Sequence, residues 1–263
     1  MRYFLLSLIC FSLSAAYIGN PGDPAIMNTG FFSSTGKFFK FTSGYLADYI
    51  SDKRYTGTDE NGIDPNDTFR HFGLYSQMAS VSFIFLERLE ITGYAGGSKE
   101  HMKWCQNPQL NDFISLIDFQ STYHFSWSAA AKVILLQWGQ TYFTTEFTYF
   151  NVPSSHQSYF KFLNRLNLPL ETEKQTFSIR EWQVTGGLAT RIFFLTPYGG
   201  VTYLFSKLNI HAGDGVPPLY YKNEQKFGYF YGFTLSLTGR LHLNFERRMR
   251  DEFSYSFATI AVF

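Results

Sequence analysis

The chain has 263 residues; 20% are aromatic, including 30 Phe and 18 Tyr, and only 16% are charged, with a formal net charge of +1. Soluble domains carry about a quarter charged residues, so this composition argues against an ordinary soluble protein. The near-neutral balance selects neither nucleic acid nor an acidic partner.

The first element is an export signal. Arg2 gives a short basic start, residues 3–13 are apolar, and Ser14-Ala15-Ala16 places small side chains where a signal peptidase cuts. Residues 1–16 are expected to leave after Ala16, with Tyr17 as the new N-terminus. About 12 apolar residues are too few to cross a bilayer of about 30 Å as a helix. Leu8-Ile9 ahead of Cys10 do not suit a lipoprotein signal. Cleavage removes Cys10 and leaves Cys105 without an intrachain partner, as a loop thiol or an intermolecular link. Residues 17–36 then read as a periplasmic N-terminal segment and 37–263 as one domain.

Beyond Ala16 the longest apolar stretch, 129–136, is interrupted by Lys132, short of the ~18 residues a transmembrane helix needs. What recurs instead is a period of two, which turns alternate side chains to opposite faces of a strand. It is weak over 39–49, 75–85 and 89–95. It is clear in Phe125, Trp127, Ala129, Ala131, Val133 and Leu135, and again in Phe143, Phe147 and Tyr149 against Thr144, Glu146 and Thr148. Trp182, Val184, Leu188 and Ile192 oppose Glu181, Gln183, Thr185 and Arg191, and a shorter alternation covers 201–205. The longest runs through the odd positions of 227–245, including Leu235 and Leu243, and the last through Phe253, Tyr255, Phe257, Thr259, Ala261 and Phe263. Short connections (86–88, 137–140, 195–196) alternate with long polar ones (51–67, 99–121, 153–175, 211–225), matching the turns and loops at the two ends of an outer-membrane barrel.

The reading is an all-β, transmembrane antiparallel β-barrel in the bacterial outer membrane. Nine segments are visible, whereas single-chain barrels have an even number. A tenth comes from 113–120, from 26–32, or from a tight turn near Gly239 inside 227–245. Ten strands are expected, within a range of eight to twelve. Trp127, Val184, Leu235 and Leu243 are expected to face lipid. The aromatic terminal strand (Phe253, Tyr255, Phe257, Phe263) reads as the signal recognised by the outer-membrane assembly machinery.

The opposite face carries charge. Parity turns Lys40, Arg70, Lys132, Arg191 and Arg240 inward with Asp48, Glu90, Glu146, Glu181 and Glu246, and His242 shares that face. Such groups either pair across a narrow barrel and plug it or line an aqueous path of weak ion selectivity. Lys132, Glu146, Glu181 and Arg191 are expected to form one charge-paired layer. His71, His101, His124, His156, His211 and His242 show no metalloprotease or hydrolase spacing. Ser154-Ser155-His156 and His211 near Asp214 offer the available hydrolytic sets, but the chain does not read as an enzyme. No metal or cofactor is expected.

Ile18-Gly19-Asn20-Pro21-Gly22-Asp23-Pro24-Ala25-Ile26-Met27 resembles the mature N-terminus of the chlamydial major outer membrane porin family. Ser43-Gly44-Tyr45-Leu46-Ala47-Asp48-Tyr49 is similar to its first strand and Phe85-Leu86-Glu87-Arg88-Leu89-Glu90 to its first tight turn. Phe125-Ser126-Trp127-Ser128-Ala129 is similar to a later strand start, and 181–184 through 194–201 to a strand, turn and strand. The resemblance implies a porin and a homo-trimer. The chain departs from it in being well over a hundred residues shorter and in lacking the cysteine clusters, so a disulfide-linked coat does not carry over. Two functions follow from the sequence: a porin-like barrel passing small hydrophilic solutes or ions, or a non-conducting structural or adhesin-like barrel.

Deleting Phe263 is expected to lower the yield of membrane-inserted protein sharply. Fractionation of membranes checks this, and normal insertion of the truncated chain would remove the terminal strand as the signal.

Overall fold

The computed structural model describes residues 18–23, 29–30, 33–34, 39–57, 69–105, 116–163, 176–211, 219–238, 240–250 and 252–263. The signal sequence with Ala16, most of 24–38, Gly239 and Asp214 lie outside them, as do the side chains of Arg70, Cys105 and His156.

Ten long strands close into a barrel: β1 (Phe39–Lys53), β2 (Phe69–Phe85), β3 (Leu89–Cys105), β4 (His124–Trp138), β5 (Thr141–Leu163), β6 (Thr176–Thr190), β7 (Leu195–His211), β8 (Phe227–Thr238), β9 (Leu241–Met249) and β10 (Glu252–Val262). Each is antiparallel to the next, and β10 returns to β1 with Phe257 opposite Ala47 and Tyr255 opposite Tyr49. The N–H of Phe263 donates to the carbonyl of Phe41 (3.0 Å), completing the seam.

The missing strand is the tight turn: 227–245 is two strands, β8 and β9, whose pairing ends at Thr238 opposite Leu241. Of the other two segments considered, 113–120 supplies a short strand, Leu116–Ser121, wedged between β3 and β5 beyond the ring. From 26–32 only Thr29–Gly30 is described, paired with Ser33–Ser34. Two more short strands, Tyr55–Gly57 and Leu219–Asn223, extend the sheet from β7 at the same end. The long connections are thus partly strand. β3 and β5 continue through residues that the alternation assigned to loops, because polar side chains there occupy both faces, Lys99, His101 and Lys103 outward and Glu100 and Ser155 inward, and the apolar period is lost.

At the other end the connections are short. Leu86 (φ 51°) and Glu87 (φ 59°) both take left-handed backbone, and the N–H of Arg88 donates to the carbonyl of Phe85 at 3.0 Å. This is the mirror-image two-residue turn whose twist suits a hairpin. The connection placed at 195–196 is in fact residues 191–194, with Phe193 at φ 55°.

Alternation sorts the side chains. Phe125, Trp127, Phe147, Val184, Leu188, Val201, Tyr229 and Phe233 are exposed on the outer face. Leu235 and Leu243, opposite each other in β8 and β9, share that face half-buried. Phe253 and Tyr255 also point outward and exposed, with Phe257 half-buried, and the Phe263 ring lies 6.0 Å from that of Phe41. Stacked or tilted aromatic pairs such as Phe233–Phe245 (5.1 Å) and Phe245–Phe257 (5.0 Å) run from strand to strand. An apolar outside with polar side chains inside is the arrangement lipid demands of a barrel.

Placing Arg at Val184 or Leu235 is expected to lower stability by about 2–4 kcal/mol, whereas Arg at exposed His211, at the far end of β7, is expected to be tolerated. Refolding titrations in lipid check this, and equal tolerance at all three sites would reverse the assignment of faces.

Candidate functional site in the barrel lumen

The inside of the barrel is filled. At its narrow-turn half lies residues 18–23, the segment expected in the periplasm. The reason is local and chemical: Asn20-Pro21-Gly22-Asp23 folds as a turn, with Asp23 N–H donating to the Asn20 carbonyl (3.0 Å) and Gly22 N–H to the Asn20 side chain (2.8 Å). A compact turn offers polar atoms in all directions, and the barrel wall meets them. Ile18 and Gly19 N–H donate to the two carboxylate oxygens of Glu246 (3.3 and 3.1 Å), and the Asn20 amide donates to Thr234 (2.6 Å). Thr144 donates to the Pro21 carbonyl (2.6 Å). Gly187 makes room for the Pro21 ring, since a Cβ there would come within 2.6 Å of its Cγ. Ile18 packs with Ala189, Tyr198 and Phe230.

Charged side chains tie this segment to the wall. Lys132 Nζ lies 3.4 Å from Glu146, 3.5 Å from Asp23 and 3.9 Å from Glu90, and donates to the Asn20 carbonyl at 3.1 Å. Farther along, Arg248 lies 2.5 Å from Asp48, 3.2 Å from Glu252 and 3.7 Å from Glu246. Ser254 accepts from its Nε at 2.7 Å, and Ser256 donates to Asp48 at 2.7 Å. Glu252 also reaches Lys53 (3.2 Å), which holds Glu181 at 2.6 Å. Ser206 (2.7 Å) and Tyr55 (3.3 Å) donate to the same Glu181 oxygen. Glu246 and Glu252 therefore link the N-terminal segment, Arg248 and Lys53 into one continuous network.

The half nearer the long connections holds an apolar cluster, packed beside the buried Lys53, Glu181 and Glu252. Ile50, Tyr55, Phe72, Leu74, Phe150, Val152, Phe177, Ile179, Leu208 and Ile210 are each no more than 1% exposed and form one cluster. These are inward positions of five strands and the short 55–57 strand. A second polar patch beside it joins Ser76, Ser98 and Ser126 by hydroxyl hydrogen bonds, and Ser121 donates to Glu100.

Lys40, Asp48, Glu90, Lys132, Glu146, Glu181 and His242 all stand buried on the inner face, and Ser236 lies 3.0 Å from His242. Two residues do not. Arg191 and Arg240 belong to the short connections at the rim, where Arg191 Nε donates to the Phe193 carbonyl (3.5 Å) and Arg240 is exposed. Their strands end one or two residues earlier than the alternation suggested, so parity no longer directs them. The expected four-residue layer also divides: Lys132 and Glu146 meet, but Glu181 pairs with Lys53 at a different height.

Asp23, Lys53, Glu100, Arg248 and Glu252 were missed. Arg248 and Glu252 were within reach, because the even-position alternation of 240–246 simply continues to 248, and the odd-outward parity of β10 turns 252 inward. Lys53 was not. A bulge between Phe253 and Ser254 shifts the register against β1 and brings Lys53 to the inner face despite its odd number. Of the histidines, His71 and His101 form a ring pair (5.8 Å) on the outer face, and His211 is exposed at the end of β7.

No family model matches the chain, and no curated protein matches it. Among solved structures it is similar to the outer membrane protease OmpT from Escherichia coli, at 12% identity over 85% of this chain and 94% of that one (TM-score 0.44). It is similar also to the translocator domain of the autotransporter NalP from Neisseria meningitidis, at 10% identity over 89% and 90% (TM-score 0.43). The toluene transporter TbuX of Ralstonia pickettii matches at 8% over 87% and 89% (TM-score 0.38). The fold of this chain is defined by its own closed ring of strand pairings.

Lys132→Met leaves Asp23, Glu90 and Glu146 facing one another without their cation, and is expected to cost about 3–5 kcal/mol. Arg191→Ala, at the rim, is expected to stay within about 0.5 kcal/mol of the parent. Denaturant unfolding in one lipid checks both, and a small loss at Lys132 would show a hydrated layer.

Proposed function

We propose that this protein is an outer-membrane barrel whose lumen is shut, and that it serves as a rigid membrane-embedded support for the long connections at one end, a structural or surface-interaction role. One observation carries the reading: Phe72, Leu74, Phe150, Phe177, Ile179, Leu208 and Ile210 meet across the lumen with no more than 1% of their surface exposed. A hydrophilic solute or ion crossing that layer would lose its hydration among packed apolar side chains, whose polar neighbours Lys53 and Glu181 are already paired with each other, a cost of several kcal/mol for each unpaired polar group. The opposite half is closed by residues 18–23, held at Lys132, Thr144, Thr234 and Glu246.

A porin-like passage of small solutes is the second reading, and the resemblance to the chlamydial porin family points the same way. What favours it in the geometry is the polar wall behind residues 18–23. Withdrawal of that turn would leave Glu90, Lys132, Thr144, Glu146 and Thr234 around an aqueous space, although passage still requires the apolar layer to part. Assembly by the outer-membrane machinery and trimerisation belong to the same proposal and rest on the terminal strand and on the family resemblance.

The purified barrel in a planar lipid bilayer is expected to give no discrete conductance steps, and a variant lacking residues 18–23 is expected to stay closed as well, since the apolar layer remains. Regular steps from the parent protein would overturn the closed-lumen reading in favour of the porin.

A further inference from the structure

On the outer face of β6 and β7, near the long connections, the register sets cations against cations. Arg180 of β6 lies directly opposite Lys207 of β7, and Lys207 lies directly opposite Lys222 of the short strand Leu219–Asn223. The row continues to Asn151 of β5 on one side and to Thr56 on the other, so it contains no carboxylate. Lys226 joins it from the start of β8: its Nζ lies 5.9 Å from the centre of the Phe205 ring, which also takes Lys207 Nζ at 5.7 Å. Arg180, Lys207 and Lys226 are exposed. Among the described residues, neither Arg180 nor Lys207 forms an ion pair with a carboxylate, and the neighbouring acid, exposed Glu224, forms none either. Like charges directly opposite in a sheet repel and destabilise the pair. Arg180 facing Lys207 is a cost unless an anion sits between them.

The position of the row says which anion. Immediately below it, toward the short turns, Trp182 stacks on Phe205 (5.3 Å) and touches Tyr203 (5.6 Å), which meets Phe227 at 4.9 Å. This is an aromatic girdle, the mark of the level where hydrocarbon gives way to headgroups. Below it the outer face turns aliphatic, with Val184, Leu188 and Val201 exposed. The path from Thr190 at the short turn to Arg180 is ten residues of β6. At about 3.3 Å per residue and a tilt near 40° it climbs about 25 Å, the height of a barrel's apolar band. The cations therefore stand at the height of lipid phosphates, with room beneath them for acyl chains.

We propose that Arg180, Lys207 and Lys226 form a site for the phosphate of an anionic lipid in the leaflet on the long-connection side. The guanidinium of Arg180 takes two phosphate oxygens in its planar fork and the lysines take the remaining charge. The acyl chains lie along Trp182, Val184 and Val201. The site needs only that the barrel spans a membrane, and does not depend on whether its lumen conducts.

The test uses the intact protein in a neutral detergent, with native mass spectrometry and thermal unfolding read after addition of a phosphorylated glycolipid of the lipid A type, the same lipid dephosphorylated, or inorganic phosphate. Expected are one or two phosphorylated lipids retained per barrel with a raised melting temperature, and no retention of the dephosphorylated form. R180Q/K207Q is expected to bind about 30-fold more weakly, the loss of two cations at an anionic surface. R247Q, which removes another outward-facing cation on β9, is expected to bind as the parent does. Undiminished binding by R180Q/K207Q would overturn the proposal, as would equal weakening by R247Q or equal retention of the dephosphorylated lipid. Inorganic phosphate binding as tightly as the lipid would also overturn it, because the acyl contacts would then contribute nothing. The variants change outward-facing side chains, exposed at Arg180 and Lys207 and half-buried at Arg247, and an unchanged far-ultraviolet spectrum with the usual heat-dependent shift on electrophoresis shows that they fold.

Discussion

Hydrocarbon offers no hydrogen-bond partners, so a sheet that crosses a membrane must return to its own first strand. The pairing of β10 with β1, from Glu252 opposite Lys53 to Val262 opposite Thr42, satisfies that demand, and most of the remaining structure follows from it. Closure gives every strand one face toward lipid and one toward the lumen. It also fixes the circumference at ten strands, little wider than the eight whose interior side chains just fill. An interior of that width cannot be left empty, because a void without water forfeits packing on all sides.

The two halves of the lumen solve this differently. Toward the long connections, Phe, Leu, Ile and Val from several strands interlock around the buried Lys53–Glu181 pair and Glu100. Toward the short turns the wall is polar and takes in residues 18–23 as filling. Among the described residues, eight buried carboxylates (Asp23, Asp48, Glu90, Glu100, Glu146, Glu181, Glu246 and Glu252) face four buried cations (Lys40, Lys53, Lys132 and Arg248). Each cation of the network is therefore shared: Lys132 by three carboxylates, Arg248 by three and Lys53 by two. Sharing couples distant strands. Arg248 on β9 joins β1 through Asp48 and β10 through Glu252, so a change at one cation is felt around the ring. Buried charge contributes little net stability over a well-packed apolar alternative; its effect here is to specify which strands and which N-terminal turn meet inside.

The outer surface shows the complementary logic. Aromatics meet across neighbouring strands where the membrane boundary falls, and cations sit above them: Lys99 over Tyr75 (5.1 Å) and Tyr123 (5.4 Å), Arg247 over Tyr255 (5.1 Å), and Lys207 over Phe205 (5.7 Å). Long basic side chains can lie along aromatic rings while their charged ends reach the headgroups. At β6 and β7 the register sets two such cations, Arg180 and Lys207, directly opposite each other.

The sequence alone carried the period of two, and with it the class of fold, the lipid-facing set from Trp127 to Leu243, and the inward carboxylates and lysines from Lys40 to Glu181. It carried the case for a tenth strand as well, since barrels close with an even count. It left that strand to 113–120, to 26–32 or to a turn near Gly239, and only the pairing of β8 with β9 decided among them. Alternation is local, since each side chain's face depends only on its neighbours in the same strand. Where that local rule was interrupted the sequence was silent. The bulge that turns Lys53 inward, the early strand ends that leave Arg191 and Arg240 at the rim, and the separate heights of Lys132 and Glu181 are set by register against another strand. The seat of residues 18–23 in the lumen was least accessible. It depends on Gly187, Thr144, Thr234 and Glu246 from four strands converging on one turn, and a one-dimensional pattern holds no record of which distant residues share a volume. Period determined the wall of this barrel; closure and register, which act between strands, decided what fills it.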